Sequence, residues 1–228
     1  MMNAGLRVDV ERLWATLMAS AAIGATARGG LRRLALSPED GQMRWLFATW
    51  CEAAGLRLRV DAMGNMFAFR PGRRAGAKAI MMGSHLDTQI FGGRFDGVLG
   101  VLAGLEVMRT LDDHSIETEH PLIVANWTNE EGARFEPAMI GSKVFAGFHA
   151  LEEALDIRDA SGARFGDAFA STDVVAEPWG SMDLAFDGAD VANHAARLHL
   201  RYRGPAGFGA GQRRMQRALS VGPDGSSR

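Results

Sequence analysis

The sequence predicts an α/β fold in which two parallel strands carry the chemistry. Three features point to it. Residues 79–82 and 122–125 are short apolar runs of the kind buried on both faces of a sheet. Residues 97–111 between them show helical periodicity, with Val98, Val101, Leu102, Leu105 and Met108 on one side. Strand, helix and strand within about 50 residues make a βαβ unit, and the strands of such a unit run parallel.

The other elements follow in chain order. Residues 8–20 read as a helix, after which Gly24, Gly29 and Gly30 loosen the chain. Ser37-Pro38-Glu39-Asp40 is a helix start, with Ser as cap, Pro at the first position and acids in the first turn. Met43, Leu46, Phe47, Trp50 and Ala54 continue it at helical spacing, and Gly55 stands where the helix should stop. Leu56, Leu58 and Val60 alternate with arginines, as in a half-buried strand. Met63-Gly64-Asn65 signals a turn, and residues 66–69 return as the partner strand. Residues 151–155 read as one more short helix.

Of the 228 residues 47% are hydrophobic, which is enough for a core. A formal net charge of -2 points to neither a nucleic acid nor a membrane surface as partner. Cys51 is the only cysteine, so no disulfide forms within the chain, and a reducing cytoplasm is expected. The start shows no secretory signal, and no apolar run reaches the roughly 18 residues of a membrane span.

Beyond residue 168 the character changes. Asp167, Asp173, Glu177, Asp183, Asp187 and Asp190 fall in a stretch without Lys or Arg. From 191 to 223 there is no Asp or Glu, while Arg197, Arg201, Arg203, Arg213, Arg214 and Arg217 stand among glycines. Residues 1–168 are therefore expected to form one domain and 169–228 a divergent tail. A basic arm for nucleic acid is one reading of the tail. Text from another reading frame of GC-rich DNA is the other, and the scarcity of lysine against arginine favours it. The aromatic residues available for stacking there, Tyr202 and Phe208, are few.

Three clusters of acids and histidine fall near the strand ends: Gly83-Ser84-His85-Leu86-Asp87-Thr88, Gly92-Gly93-Arg94-Phe95-Asp96-Gly97 and Asn129-Glu130-Glu131-Gly132. Singly, each is an ordinary surface or turn feature. Together, beyond the carboxyl ends of two parallel strands, they converge where open α/β sheets place their sites. Imidazole and carboxylate are usual ligands of zinc- or manganese-like ions. The two oxygens of Asp96 could bridge a pair of ions about 3.5–4 Å apart. Asp87 lies on the same side of an extended chain as His85 and could fix the imidazole orientation. Glu130 and Glu131 permit a division of labour, one binding metal and the other moving protons. His114, His120 and His149 lack such company and read as structural.

At these residues the chain resembles the hydantoinase/carbamoylase branch of the M20 metallopeptidase-like amidohydrolases. The similarity runs over about residues 8–168. It includes Gly83-Ser84-His85-Leu86-Asp87-Thr88-Gln89, Gly92-Gly93-Arg94-Phe95-Asp96-Gly97 and Trp127-Thr128-Asn129-Glu130-Glu131-Gly132-Ala133-Arg134-Phe135, with Asp61-Ala62-Met63-Gly64-Asn65 before and Gly141-Ser142 after. Gln89 favours this branch over the peptidases.

The resemblance implies a mixed α/β sheet catalytic domain of the zinc-aminopeptidase-like type. It implies two divalent ions (Zn, Mn, Co or Ni) in the intact family member, with His85 on one, Asp96 bridging, Glu131 on the other and Glu130 as general base. Asp87 would support the site. The substrate would be a small N-carbamoyl amino acid or β-ureido acid, the alternative being allantoate or ureidoglycine, and the intact family implies a homodimer. The family's centre also takes two histidines from later segments, together with a lid and dimerisation domain. The sequence carries no text matching them; Leu198-His199-Leu200 is a faint echo, and neither His199 nor His194 is assigned as a ligand. The expectation is thus an amino-terminal part with impaired activity, or a non-catalytic fragment of such an enzyme.

Overall fold

The computed structural model describes residues 5–172. They lie within Met1–Phe186, the first of two units into which the chain divides; Asp187–Arg228 falls outside the described residues. The acids from Asp173 onward, the arginine-rich tail, His194 and His199 lie outside them too.

Helix α1 (Val10–Ala22) starts at Asp9, whose carboxylate accepts the Arg12 backbone N–H at 2.9 Å. Helix α2 (Pro38–Ala53) starts as expected, with Ser37 as cap and Pro38 in the first turn. Strands β1 (Arg57–Val60) and β2 (Met66–Arg70) form the antiparallel hairpin around Gly64, which has φ of 77°. Strand β3 (Ile80–His85), helix α3 (Val98–Asp113) and strand β4 (Leu122–Trp127) form the βαβ unit, with β3 and β4 parallel. Three short helices follow: α4 (Ile140–Phe145), α5 (Leu151–Asp156) and α6 (Phe165–Ala170). The end expected for the first domain, residue 168, falls inside α6.

The strand order is β1-β2-β4-β3, so the hairpin and the βαβ unit share one mixed sheet. Strand β2 joins β4 antiparallel, with Met66 opposite Asn126. Every residue of β4 is buried, which requires neighbours on both edges and cover on both faces.

Side chains alternate across the sheet as strand geometry dictates. Met66, Ala68, Leu122 and Val124 face Leu17, Met43, Phe47, Val101 and Leu105 of the three long helices. Phe67, Met81, Ile123, Ala125 and Trp127 form a separate cluster. A third cluster, around Phe135, Ile140 and Phe165, joins the short helices to Leu36 and Met63. Each fully buried Leu, Met or Phe contributes about 1.5–3 kcal/mol by leaving water. Helix α3 lies close on β3 because Gly100 has no side chain; a Cβ there would come within 2.8 Å of the Ser84 Cβ. Arg12 ties α1 to α3, its Nη2 donating to the buried Glu106 carboxylate at 2.7 Å. No helix among the described residues is long and apolar enough to cross a membrane.

Candidate metal centre

Strands β3 and β4 pair in parallel, with His85 opposite Trp127, so the loops that leave them emerge side by side. The first loop carries Asp87 and Gln89. The second carries Glu130 and Glu131.

His85 closes β3 and is 5% exposed. Its Nδ1 lies 2.9 Å from the Asp87 backbone carbonyl, which can only accept, so Nδ1–H donates there and Nε2 is left to meet a proton or an ion. Nε2 lies 3.4 Å from a Glu130 carboxylate oxygen. Burial works against the imidazolium, but the charges of Asp87 and Glu130 outweigh it and raise the His85 pKa. The ring rests on Gly97, which has φ of 67° and whose missing Cβ would come within 2.4 Å of it. Asp96 is the residue before Gly97 in the chain. Its carboxylate is exposed, and no ion pair joins it to His85 among the described residues.

The Asp87 carboxylate does something other than orient the ring, since its nearer oxygen is 3.8 Å from Nδ1. Its two oxygens accept the backbone N–H groups of Glu130 and Glu131, each at 3.3 Å. It therefore clips the second loop to the first, while the carbonyl of the same residue aligns the imidazole. Burial raises the pKa of this carboxyl, with the His85 charge opposing.

Several buried polar groups brace the two loops. Arg33 donates from Nε to the Leu86 carbonyl at 2.7 Å and from Nη1 to the carbonyls of Ser20 and Ile23. Its burial lowers its pKa to about 10. Arg44 pairs with Asp40 at 2.7 Å and reaches the Gly64 carbonyl at 2.6 Å and Thr128 Oγ1 at 3.2 Å. Asn65 accepts the Thr128 N–H at 2.9 Å and donates to Asp61 and to the Gly141 carbonyl. Asn129 takes a left-handed conformation, φ 55°, that asparagine tolerates, and donates to the Phe135 carbonyl at 2.7 Å. In the sequence Asn65 stood out only as a turn residue. The one local sign of the Arg44 role is an Asp and an Arg four apart on the apolar face of α2.

Whether these residues suit divalent ions can be judged from their free atoms. His85 offers Nε2. Glu131 has one oxygen, Oε2, held by Gln89 Nε2 at 2.7 Å. The other, Oε1, is buried with no hydrogen-bond partner among the described residues. A buried, unpaired carboxylate oxygen is costly without a cation or donor. The donor chemistry fits. However, among the described residues no three His, Cys, Asp or Glu side chains gather closely enough to enclose an ion.

Residues 81–188 match the model of peptidase family M20/M25/M40. An N-carbamoyl-L-amino-acid amidohydrolase from Rhizobium meliloti is 56% identical over 161 residues, which cover 71% of this chain and 39% of that protein. An allantoate deiminase from Arabidopsis thaliana is 32% identical over 177 residues, covering 77% of this chain and 33% of that protein. The crystal structure of a hydantoinase/carbamoylase family amidase from Burkholderia ambifaria superposes with a TM-score of 0.72 at 56% identity, covering 73% of this chain and 41% of that one. The chain thus spans well under half the length of the relatives it matches, and over the matched residues it belongs to the hydantoinase/carbamoylase amidohydrolases of the M20 family.

Proposed function

We propose that this chain supplies part of the active site of a divalent-metal-dependent amidohydrolase that cleaves the carbamoyl C–N bond of N-carbamoyl-L-amino acids or β-ureido acids. The observation that carries the reading is the unlike placement of the two adjacent carboxylates. Glu130 lies at His85 Nε2, while Glu131 is tied by Gln89 through one oxygen and keeps the other buried without a hydrogen-bond partner among the described residues.

In this reading His85, Asp96 and Glu131 hold the ions. When bound, such ions polarise a carbonyl and make a water acidic near neutral pH. Glu130 takes a proton from the attacking water and delivers it to the leaving nitrogen. Asp87 keeps Glu130 and Glu131 in register by holding both backbone N–H groups. The products are the amino acid, ammonia and carbon dioxide. Residues 1–168 act as the amino-terminal part of the catalytic domain in this reading. Allantoate is the second substrate to assay, because the Arabidopsis thaliana relative is named as its deiminase.

The test is ammonia release with zinc or manganese, by the full chain and by a chimaera joining residues 1–168 to the carboxyl-terminal part of the Rhizobium meliloti relative. The chimaera is expected to turn over N-carbamoyl amino acids, and Glu130→Gln to lower its kcat by at least about 100-fold, with metal per chain unchanged. Retained turnover in the Gln variant removes Glu130 from the role of base. Metal lost together with turnover makes Glu130 a ligand and reverses the assignment of the pair.

A further inference from the structure

Gln89 links the first loop to the second through Glu131. It follows the His85-Leu86-Asp87-Thr88 run directly, and its own backbone is fixed. Its carbonyl accepts the Thr88 hydroxyl at 2.9 Å, and that same hydroxyl oxygen accepts the Arg33 N–H at 2.9 Å. Its side-chain amide nitrogen has two acceptors, both on Glu131: the carboxylate Oε2 at 2.7 Å and the backbone carbonyl at 3.3 Å. The Glu131 N–H is held separately by Asp87 at 3.3 Å. Backbone N–H, backbone carbonyl and Oε2 of Glu131 are thus all engaged, and Oε1 is the polar atom left without a partner among the described residues.

We propose that Gln89 is a positioning residue for Glu131: its amide pins Oε2 and presents Oε1 alone as a one-oxygen donor to a divalent cation. The inference rests on the reading of Glu131 as a metal ligand. A free carboxylate can swing between one-oxygen and two-oxygen contact with an ion. Two hydrogen bonds from one amide nitrogen, to the side chain and backbone of the same residue, remove that freedom before the ion arrives. An amide suits the task better than a lysine or arginine, since it holds the carboxylate without lowering its attraction for a cation by full charge. It also suits it better than a carboxylate, which would repel Glu131 and compete for the ion.

The test is a cobalt(II) titration of the full chain, read by calorimetry and by the visible absorption of bound cobalt. It compares the wild type, Gln89→Met, Glu131→Gln and the double variant. Methionine keeps the length of the side chain and removes the donor, and Gln89 is exposed, so the core is untouched. Gln89→Met is expected to weaken binding about 10-fold or more, the usual effect of losing a ligand's supporting partner. It should also change the cobalt spectrum as Oε2 becomes free to bind. In the Glu131→Gln background the same change is expected to do nothing further.

Equal weakening by Gln89→Met in both backgrounds overturns the proposal, because Gln89 then acts independently of Glu131. No effect of Gln89→Met, with weakening by Glu131→Gln, overturns the positioning role and leaves the ligand reading standing. Unchanged affinity in Glu131→Gln overturns the ligand reading and the proposal with it. Absence of cobalt binding by the wild-type chain at millimolar concentration does the same.

Discussion

Replacing Asp40 by Ala tests whether a buried ion pair under the second loop is needed to hold it. Asp40 and Arg44 lie one turn apart on α2, with side chains 0% and 2% exposed and 2.7 Å between them. Arg44 also reaches the Gly64 carbonyl and Thr128 Oγ1, and Asp40 Oδ2 accepts the Leu36 N–H at 2.8 Å. Asp40→Ala removes the anion and strands the guanidinium where water does not reach. Breaking a buried pair in this way costs about 3–5 kcal/mol. Against a total stability of roughly 5–15 kcal/mol for an ordinary domain, that is a large share. It corresponds to a fall in Tm of roughly 6–20 °C for a chain of this size.

The assay is urea unfolding at pH 7, followed by the fluorescence of the five tryptophans, with the thermal midpoint as a second reading. Arg44→Met and the double variant Asp40→Ala/Arg44→Met complete a cycle. The double variant is expected to lose less than the sum of the single losses, because no charge is left stranded, with a coupling of about 0.5–3 kcal/mol. Thr128 lies two residues before Glu130, so Asp40→Ala should also weaken cobalt binding under conditions where the chain stays folded. A loss under about 1 kcal/mol, or strict additivity of the two changes, would refute the claim that the pair acts as a buried unit.

Three further outcomes follow from the same structure. Cys51 is fully buried, and burial pushes its thiol up to about 12, so a thiol reagent at pH 8 should label it only after denaturation; rapid stoichiometric labelling of the native chain would contradict this. The Asp159 carboxyl is held down to about 2 by the Ser161 hydroxyl, by Arg134 Nε at 2.9 Å and by the N–H groups of Ser161 and Ala163. A lowered folded pKa means stability present above the unfolded value of about 3.9 and lost as pH falls toward 2. The Tm gap between wild type and Asp159→Asn should therefore be constant near neutrality and close between about pH 4 and 2; a gap unchanged down to pH 2 would exclude the linkage. Because the described residues do not close around an ion, zinc or manganese should bind the chain weakly and leave on dialysis against a chelator, and retention of two ions per chain would show that other side chains complete the set.

Much of the fold was legible because it is written in local periods. The three long helices and all four strands follow apolar spacing or caps that a short window contains. Helix α1 shifted by two residues at each end, a drift ordinary for helix termini. The pairing of β2 with β4 left no local mark. It joins residues nearly sixty positions apart, and the apolar run of β4 is compatible with a parallel or an antiparallel neighbour on either edge. Helices α4 and α6 have six residues each and a glycine within them, whereas the equally short α5 is built mostly from strong helix formers. In the candidate site, the juxtaposition of His85, Asp87, Glu130 and Glu131 was legible from their place beyond two strand ends. The supporting arginines were not, because Arg33 and Arg44 are buried by partners distant in sequence, the Leu86 carbonyl for one and the Gly64 carbonyl and Thr128 for the other.

The second loop is built largely before any ion could contribute to it. Thr128 is held by Asn65 and Arg44, Asn129 by the Phe135 carbonyl, and Glu130 and Glu131 by Asp87. The Glu130 carbonyl accepts the Met139 N–H at 2.9 Å, joining the loop to the start of α4. These anchors come from α2, the hairpin turn, the β3 loop and the α4 approach, so no single element sets the loop alone. Such preorganisation separates two classes of substitution. Changing a side chain that faces the site, such as Glu130, should alter chemistry and leave the loop in place. Changing an anchor, such as Asp87 or Asn65, should loosen the backbone of both glutamates together and lower stability and metal affinity in parallel. Proportional loss of the two quantities across the anchor variants, against separate loss in the facing ones, is what this architecture requires.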